Sequence, residues 1–150
     1  MIPTIEIRRI NPELENALND FFISIQPDVF LFCPHELTKT KAHEVANYTG
    51  DDLYYVLQYG NDIVGYGILR GWDTGFLIPS LGIAIAKEFR GCGWGKTLMH
   101  FLHSVAKQRG AKEVRLRVRD VNTIAINLYK SMGYIFNSKE DDLLVGIFQL

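Results

Sequence analysis

Residues 81–119 read LGIAIAKEFRGCGWGKTLMHFLHSVAKQRGAKEVRLRVR. The stretch passes through four textures in turn. LGIAIA is a short apolar run, which suits a buried strand. RGCGWGKT sets three glycines on alternate positions and closes on Lys96 and Thr97. The next residues put Leu98, Phe101, Leu102 and Val105 on one helical stripe and stop at Gly110. EVRLRVR then alternates strictly, the period of a strand with one covered face. Strand, helix and strand in this order predict a right-handed parallel crossover, with the glycine loop at the carboxyl edge of the sheet.

The reading extends outward in both directions. TIEIRRI alternates and predicts a first strand; NPELENALNDFFISI follows as a helix, with Asn11 as N-cap and Pro12 at the first helical position. QPDVFLFCPHELT carries prolines at both ends of an apolar run and reads as an irregular connection, and ELTKTKAHEVANYTG as a second helix ending near Gly50. LYYVLQYG and DIVGYGILRG are joined at GND, a hairpin signal, and GWDTG separates the second from SLGIAIA, so three strands form an antiparallel meander. Beyond the crossover, NTIAINLYKSMG is a helix opened by Asn122 and closed by Gly133, and YIF and LLVGIFQL supply two closing strands. The order is β, α, α, β, β, β, α, β, α, β, β. The expectation is a mixed α/β fold on one sheet, mostly antiparallel around a central parallel crossover, with residues 1–150 as one domain.

Composition narrows the function. A net charge of −1, with 22% charged and 47% apolar residues over 150 positions, is ordinary for a globular chain and gives no footprint for nucleic acid. No apolar run is long enough to cross a bilayer, and MIPTIEIRRI lacks the parts of a signal peptide, so the expectation is a cytoplasmic protein with no membrane partner. Cys33 and Cys92 have no CxxC spacing and read as free thiols. HELTKTKAH is not HExxH, and His100 and His103 are read on the polar side of their helix beside Lys107, so no metal site is expected.

The glycine loop invites three phosphate readings. Walker A geometry needs a glycine five residues before Gly95, where Arg90 stands instead. The dinucleotide fingerprint needs GxGxxG, and the spacing here is GxGxG. What remains is RGxGxG between a strand and a long helix. Together with the asparagine opening the next helix and LYKSMGY within it, residues 83–136 resemble the coenzyme A binding half of the GNAT family, the GCN5-related N-acetyltransferases. Residues 53–150 carry the resemblance well; the first fifty residues match only in the order of their elements.

That resemblance implies an enzyme that moves an acetyl group from acetyl-CoA to a primary amine. It makes the backbone of Ile83, Ala84 and Ile85 an edge for the pantetheine arm, in the manner of an added strand. It gives the pyrophosphate to Arg90, Gly91, Cys92, Gly93, Trp94, Gly95 and Lys96, where converging amides and a helix dipole favour anions. Asn122 caps its helix and reaches the cofactor arm. Tyr129 is the general acid for the leaving thiolate, a role open to a phenol that stays protonated near neutrality; packing in the helix–sheet layer is its alternative. The family's strand carboxylate or histidine is missing, since Pro79, Ser80 and Leu81 stand there, which leaves water, His35, Glu36 or Asp73 to take the amine's proton.

The acceptor cleft is expected from Phe30 to Glu36, from GWDTG and from the strand of Arg117. His35, Trp72, Asp73 and Arg117 are the substrate-binding candidates, with Arg117 favouring an anionic acceptor. Arg115, Arg117 and Arg119 share a strand face, where ion pairing is the ordinary explanation. The acceptor is read as a small molecule, such as an amino sugar or an amino acid derivative. A peptide acetyltransferase and a CoA-binding module without catalysis stay open, as does a homodimer.

Overall fold

The computed structural model describes residues 2–26, 31–32 and 34–150. One seven-stranded sheet carries the chain, in the order β1-β2-β3-β4-β5-β7-β6. The strands are β1 (Ile5–Arg9), β2 (Leu53–Tyr59), β3 (Asp62–Arg70), β4 (Ser80–Ile85), β5 (Glu113–Arg119), β6 (Ile135–Glu140) and β7 (Leu143–Gln149). The helices are α1 (Glu15–Ser24), α2 (Lys39–Ala46), α3 (Trp94–Gln108) and α4 (Thr123–Met132). The element order and the mixed sheet match the sequence expectation; the boundaries differ for local reasons. Asn11 accepts from the Glu13 N–H at 2.9 Å and starts a single 3-10 turn, Pro12–Leu14, before α1 proper. α2 is shorter than expected because Thr38 takes the N-cap, its hydroxyl accepting from the Lys41 N–H at 3.1 Å, and the helix ends at Ala46 rather than near Gly50.

Alternation along the strands feeds two cores on opposite sheet faces. α1 and α2 cover β2 and β3 with Leu18, Phe22, Val45, Val56, Tyr66 and Ile68. α3 and α4 cover the other face with Leu98, Leu102, Val114, Leu116, Val118 and Ile126. Burial of this kind contributes roughly 1.5–3 kcal/mol per large apolar side chain. The α3 stripe is rotated from the expected one. Met99, His103 and Ala106 are buried beside Leu98 and Leu102, while Phe101 and Val105 flank them. His103 therefore does not lie on the polar side: it is 7% exposed, pairs with the Tyr134 hydroxyl at 2.6 Å and stacks on Phe148.

The seam between β4 and β5 positions everything that follows. β4 pairs with β3 along its whole length, Ser80 to Ile85, and β5 with β7 along its whole length, Glu113 to Arg119. Between β4 and β5, the parallel pair, the register holds only Ser80 opposite Arg115, with the Arg115 N–H donating to the Pro79 carbonyl at 2.9 Å. Beyond that point the strands diverge, and the sheet opens as a V. Pro34 packs over β4 on the α1–α2 face, which requires Gly82 beneath it: a Cβ there would meet Pro34 Cγ at 2.4 Å.

Candidate active site

The V holds a cleft of about 530 Å³, within the range of small-ligand sites. One wall is the edge of β4 from Leu81 to Ile85, whose residues find no partner strand in β5 past Ser80. The glycine loop closes the end of that wall. Gly91 and Gly93 take φ of +76° and +88°, and a Cβ at either would meet nothing within 4 Å, so both are held in the left-handed region over open space. Gly93 is the N-cap of α3, and Thr97 returns both its N–H and its hydroxyl to the Gly93 carbonyl, at 3.0 and 3.1 Å. The first amides of α3 are thereby turned to the cleft end, where a helix favours an anion. Arg90 Nε donates to the Ile85 carbonyl at 2.8 Å and ties the loop back to β4.

α4 makes the opposite wall. Asn122 Oδ1 accepts from the Ala125 N–H at 3.3 Å, so the N-cap expectation holds, and Asn122 also lines the cleft. Tyr129 lies one helix turn below Ala125 on the same wall, 8% exposed, with its ring 5.8 Å from that of Tyr134. Tyr134, His103 and Phe148 form an aromatic stack behind it. Burial pushes the Tyr134 phenol up, so it stays protonated, and lowers His103 to about 4, so it stays neutral at physiological pH. Tyr129 is thus braced from behind by an uncharged hydrogen-bonded pair.

Of the residues singled out in the sequence, Ile83, Ala84, Ile85, Arg90, Gly91, Gly93, Gly95, Lys96, Asn122, Tyr129 and Arg117 all line the cleft. Cys92 and Trp94 do not: Cys92 is exposed with its thiol toward the Arg90 carbonyl, and the Trp94 ring packs on the α1–α2 core. Three acceptor candidates lie elsewhere. The Trp72 ring is covered by the Arg109 guanidinium at 4.7 Å, and Asp73 Oδ1 accepts from the Asp51 N–H at 2.7 Å. Asp52 Oδ1 in turn holds the Gly71 and Trp72 amides at 2.9 Å, pinning GWDTG to the start of β2 and away from the V.

His35 is not on the cleft either. Its Nδ1 sits 2.7 Å from the Glu36 carbonyl, which can only accept, so Nδ1 carries the proton and Nε2 accepts from the Tyr66 hydroxyl at 2.7 Å. Burial lowers His35 to about 4. Among the described residues, the cleft lining includes no carboxylate and no histidine. Sequence reasoning missed Ile25 and Leu128 as lining residues, and it named the Phe30–Glu36 segment only in outline: Leu31, Phe32 and Pro34 line the cleft, while Phe30 and Cys33 lie outside the described residues.

An open parallel seam, a glycine-capped helix at its end and a tyrosine across from the bare strand edge thus meet in one cleft. A sequence model described as the acetyltransferase (GNAT) family matches residues 12–134, and the chain belongs to that family. It is 32% identical over 87 residues to a streptothricin acetyltransferase of Streptomyces lavendulae, covering 57% of this chain and 45% of that protein. It is 37% identical over 78 residues to a thialysine N-ε-acetyltransferase of Sus scrofa, covering 49% of this chain and 45% of that one. The chain spans about half the length of these curated relatives. A PaiA N-acetyltransferase of Thermoplasma acidophilum, solved in complex with coenzyme A, shares the fold at a TM-score of 0.83 with 17% identity, over 98% of this chain and 99% of that one. No helix among the described residues is long and apolar enough to cross a membrane.

Proposed function

We propose that this protein transfers the acetyl group of acetyl-CoA to the primary amine of a small molecule. The observation that carries the reading is the convergence of the bare β4 edge, the Gly91–Lys96 amides and Tyr129 on one cleft. The residues fit the cofactor: Gly91 and Gly93 leave the space over the loop clear of side chains, and Arg90 and Lys96 bring cations to the same end. The backbone of Ile83 and Ile85, which faces the V, would meet the pantetheine amides as an added strand does, while Ala84 between them is laddered to Tyr66. Acetyl-CoA supplies, when bound, an acetyl group already activated as a thioester.

The chain's own part is binding, orientation and proton movement. Backbone N–H groups near Ile85 stabilise negative charge developing on the carbonyl oxygen, a contribution of about 3–4 kcal/mol where a single such donor is removed in other enzymes. Tyr129 Oη donates its proton to the departing sulfur. The lining residues described offer no base, so the amine's proton leaves through water toward the mouth of the V. Leu31, Phe32 and Pro34 add apolar surface to the cleft lining, which supports a small acceptor seated within the cleft. A turnover screen with acetyl-CoA against amino acids, amino sugars, polyamines, aminoglycosides and peptides tests the reading. Thioester consumption with a small amine is the expected result; acetylation of peptides alone would overturn the small-molecule half, and tight acetyl-CoA binding without turnover on any amine would favour a binding module.

A further inference from the structure

Beside the cleft, on the α1–α2 face of the β4–β5 seam, lies a second recess lined by Pro34, Arg70, Ser80, Leu81 and Arg117. Pro34, Leu81 and Arg117 line the large cleft too, so the two spaces adjoin. The sheet builds the recess directly. Arg70 on β3 stands opposite Ser80 on β4, Ser80 stands opposite Arg115 on β5, and Arg117 lies two residues further along the same face. One guanidinium group on β3 and two on β5 thus flank Ser80 on one face of the sheet, at the point where the seam opens.

Their counter-charge is incomplete. Glu140 takes Arg115 at 2.7 Å and stands 3.7 Å from Arg117, beyond hydrogen-bond reach. Arg119 is occupied by Asp142 at 2.7 Å. Arg117, with 39% of its side chain exposed, makes no hydrogen bond to any described residue, and the Ser80 hydroxyl makes none either. Arg70 donates to the Pro34 carbonyl and also interacts with the Tyr54 hydroxyl, which leaves others of a guanidinium's five donors, and no carboxylate among the described residues is within 4.0 Å of it. Two guanidinium groups and a hydroxyl therefore face a space of about 20 Å³, room for one or two water-sized groups and so for a carboxylate end, but not for a ring.

We infer that Arg70, Arg117 and Ser80 form an anion subsite that holds a carboxylate borne by the acceptor, so that the substrate is a small amino carboxylate presenting its amine to the cleft. This rests on the acetyltransferase reading above and names its substrate class. A planar carboxylate suits the fork of a guanidinium, and the Ser80 hydroxyl donates to the remaining lone pair. Glu140 limits Arg117's attraction for carboxylates in general without capping its donors.

The test uses matched acceptors that differ in the anion alone: ω-amino carboxylates of two to six carbons against the n-alkylamines of equal length, each with acetyl-CoA. The wild type is expected to favour its best amino carboxylate over the alkylamine twin by at least tenfold in kcat/KM. Arg117→Gln and Ser80→Ala, each checked for wild-type circular dichroism, should shrink that ratio toward one, and Arg70→Lys should weaken it less because a cation remains. Equal use of the twins, or a preference that survives Arg117→Gln, would overturn the subsite, and a preference for 2-aminoethyl phosphate over β-alanine would overturn its assignment to carboxylate. Absence of turnover on every amine would instead strike the transferase reading. The subsite is then judged by calorimetry of 6-aminohexanoate and hexylamine on the CoA-saturated protein: carboxylate-dependent binding lost in Arg117→Gln upholds it, and indifference to the carboxylate overturns it.

Discussion

The two ends of the cleft are built by opposite means. The loop end is backbone: the β4 edge, the Gly91–Lys96 amides and the first turn of α3 are contiguous in sequence, and their shape follows from where glycine is placed. The end where we propose the acceptor is side chain: Pro34, Arg70, Ser80 and Arg117 come from four segments brought together by sheet pairing and by the proline seated on Gly82. A ligand that recurs can be met by main chain, which no substitution removes, whereas one that varies is met by side chains, which substitution retunes.

Breaking the loop end should have the largest effect. Gly93→Asp strains the backbone at φ +88°, although aspartate is among the few side chains that visit the left-handed region, and it puts a carboxylate where the pyrophosphate is proposed to sit. Acetyl-CoA affinity should fall by about two orders of magnitude or more, on the scale of a lost charge-assisted hydrogen bond plus like-charge repulsion. Calorimetry that finds wild-type affinity in a folded protein removes this loop from the site. Tyr129→Phe comes next, because it deletes one oxygen from a buried wall and leaves the ring contact with Tyr134. Turnover should drop by roughly 10- to 100-fold with cofactor affinity nearly unchanged; equal turnover with chemistry rate-limiting would return Tyr129 to packing alone.

At the acceptor end, Gly82→Ala should push Pro34 off β4, since the new methyl would lie 2.4 Å from its ring. The expected cost is about 1–3 kcal/mol of overpacking, read as a lower denaturant midpoint and a raised KM for the acceptor rather than for acetyl-CoA. A variant with both unchanged would show the proline contact to be soft. The smallest effect concerns pH. His35 and His103 are each lowered by burial to about 4, whereas an unfolded histidine titrates near 6.5. The unfolded chain therefore binds the extra protons first, and stability should fall as pH drops through 6.5 toward 4 and level off below. By pH 6 each site costs about 1 kcal/mol. Urea midpoints across pH 7.5 to 4.5 measure this, and His103→Gln should flatten part of the slope.

What the sequence disclosed follows the same division. The crossover, the meander and the glycine-capped start of α3 could be read because each rests on local signals: a glycine placed where φ turns positive, an asparagine where a helix begins, alternation along EVRLRVR. Trp72 and Asp73, expected at the acceptor cleft, do not line the V, since nothing local says that Asp52 will gather the amides of their turn. Arg70 escaped notice because its meaning depends on lying opposite Ser80, a pairing across the β3–β4 turn. His103 did leave a trace, since Met99, His103 and Ala106 follow helical spacing beside Leu98 and Leu102, but a histidine's polarity hides it among surface residues.

The single-pair seam between β4 and β5 also sets how β4 trades protons with water. Along its β3 side the strand is fully laddered, but along the V its amides have no partner strand from Leu81 to Ile85. Those amides should exchange with deuterium as if from a frayed edge while the strand itself stays folded, giving two exchange classes that alternate residue by residue within six residues. A molecule that fills the V by strand addition would merge the two classes, so the exchange pattern of β4 registers occupancy without any turnover.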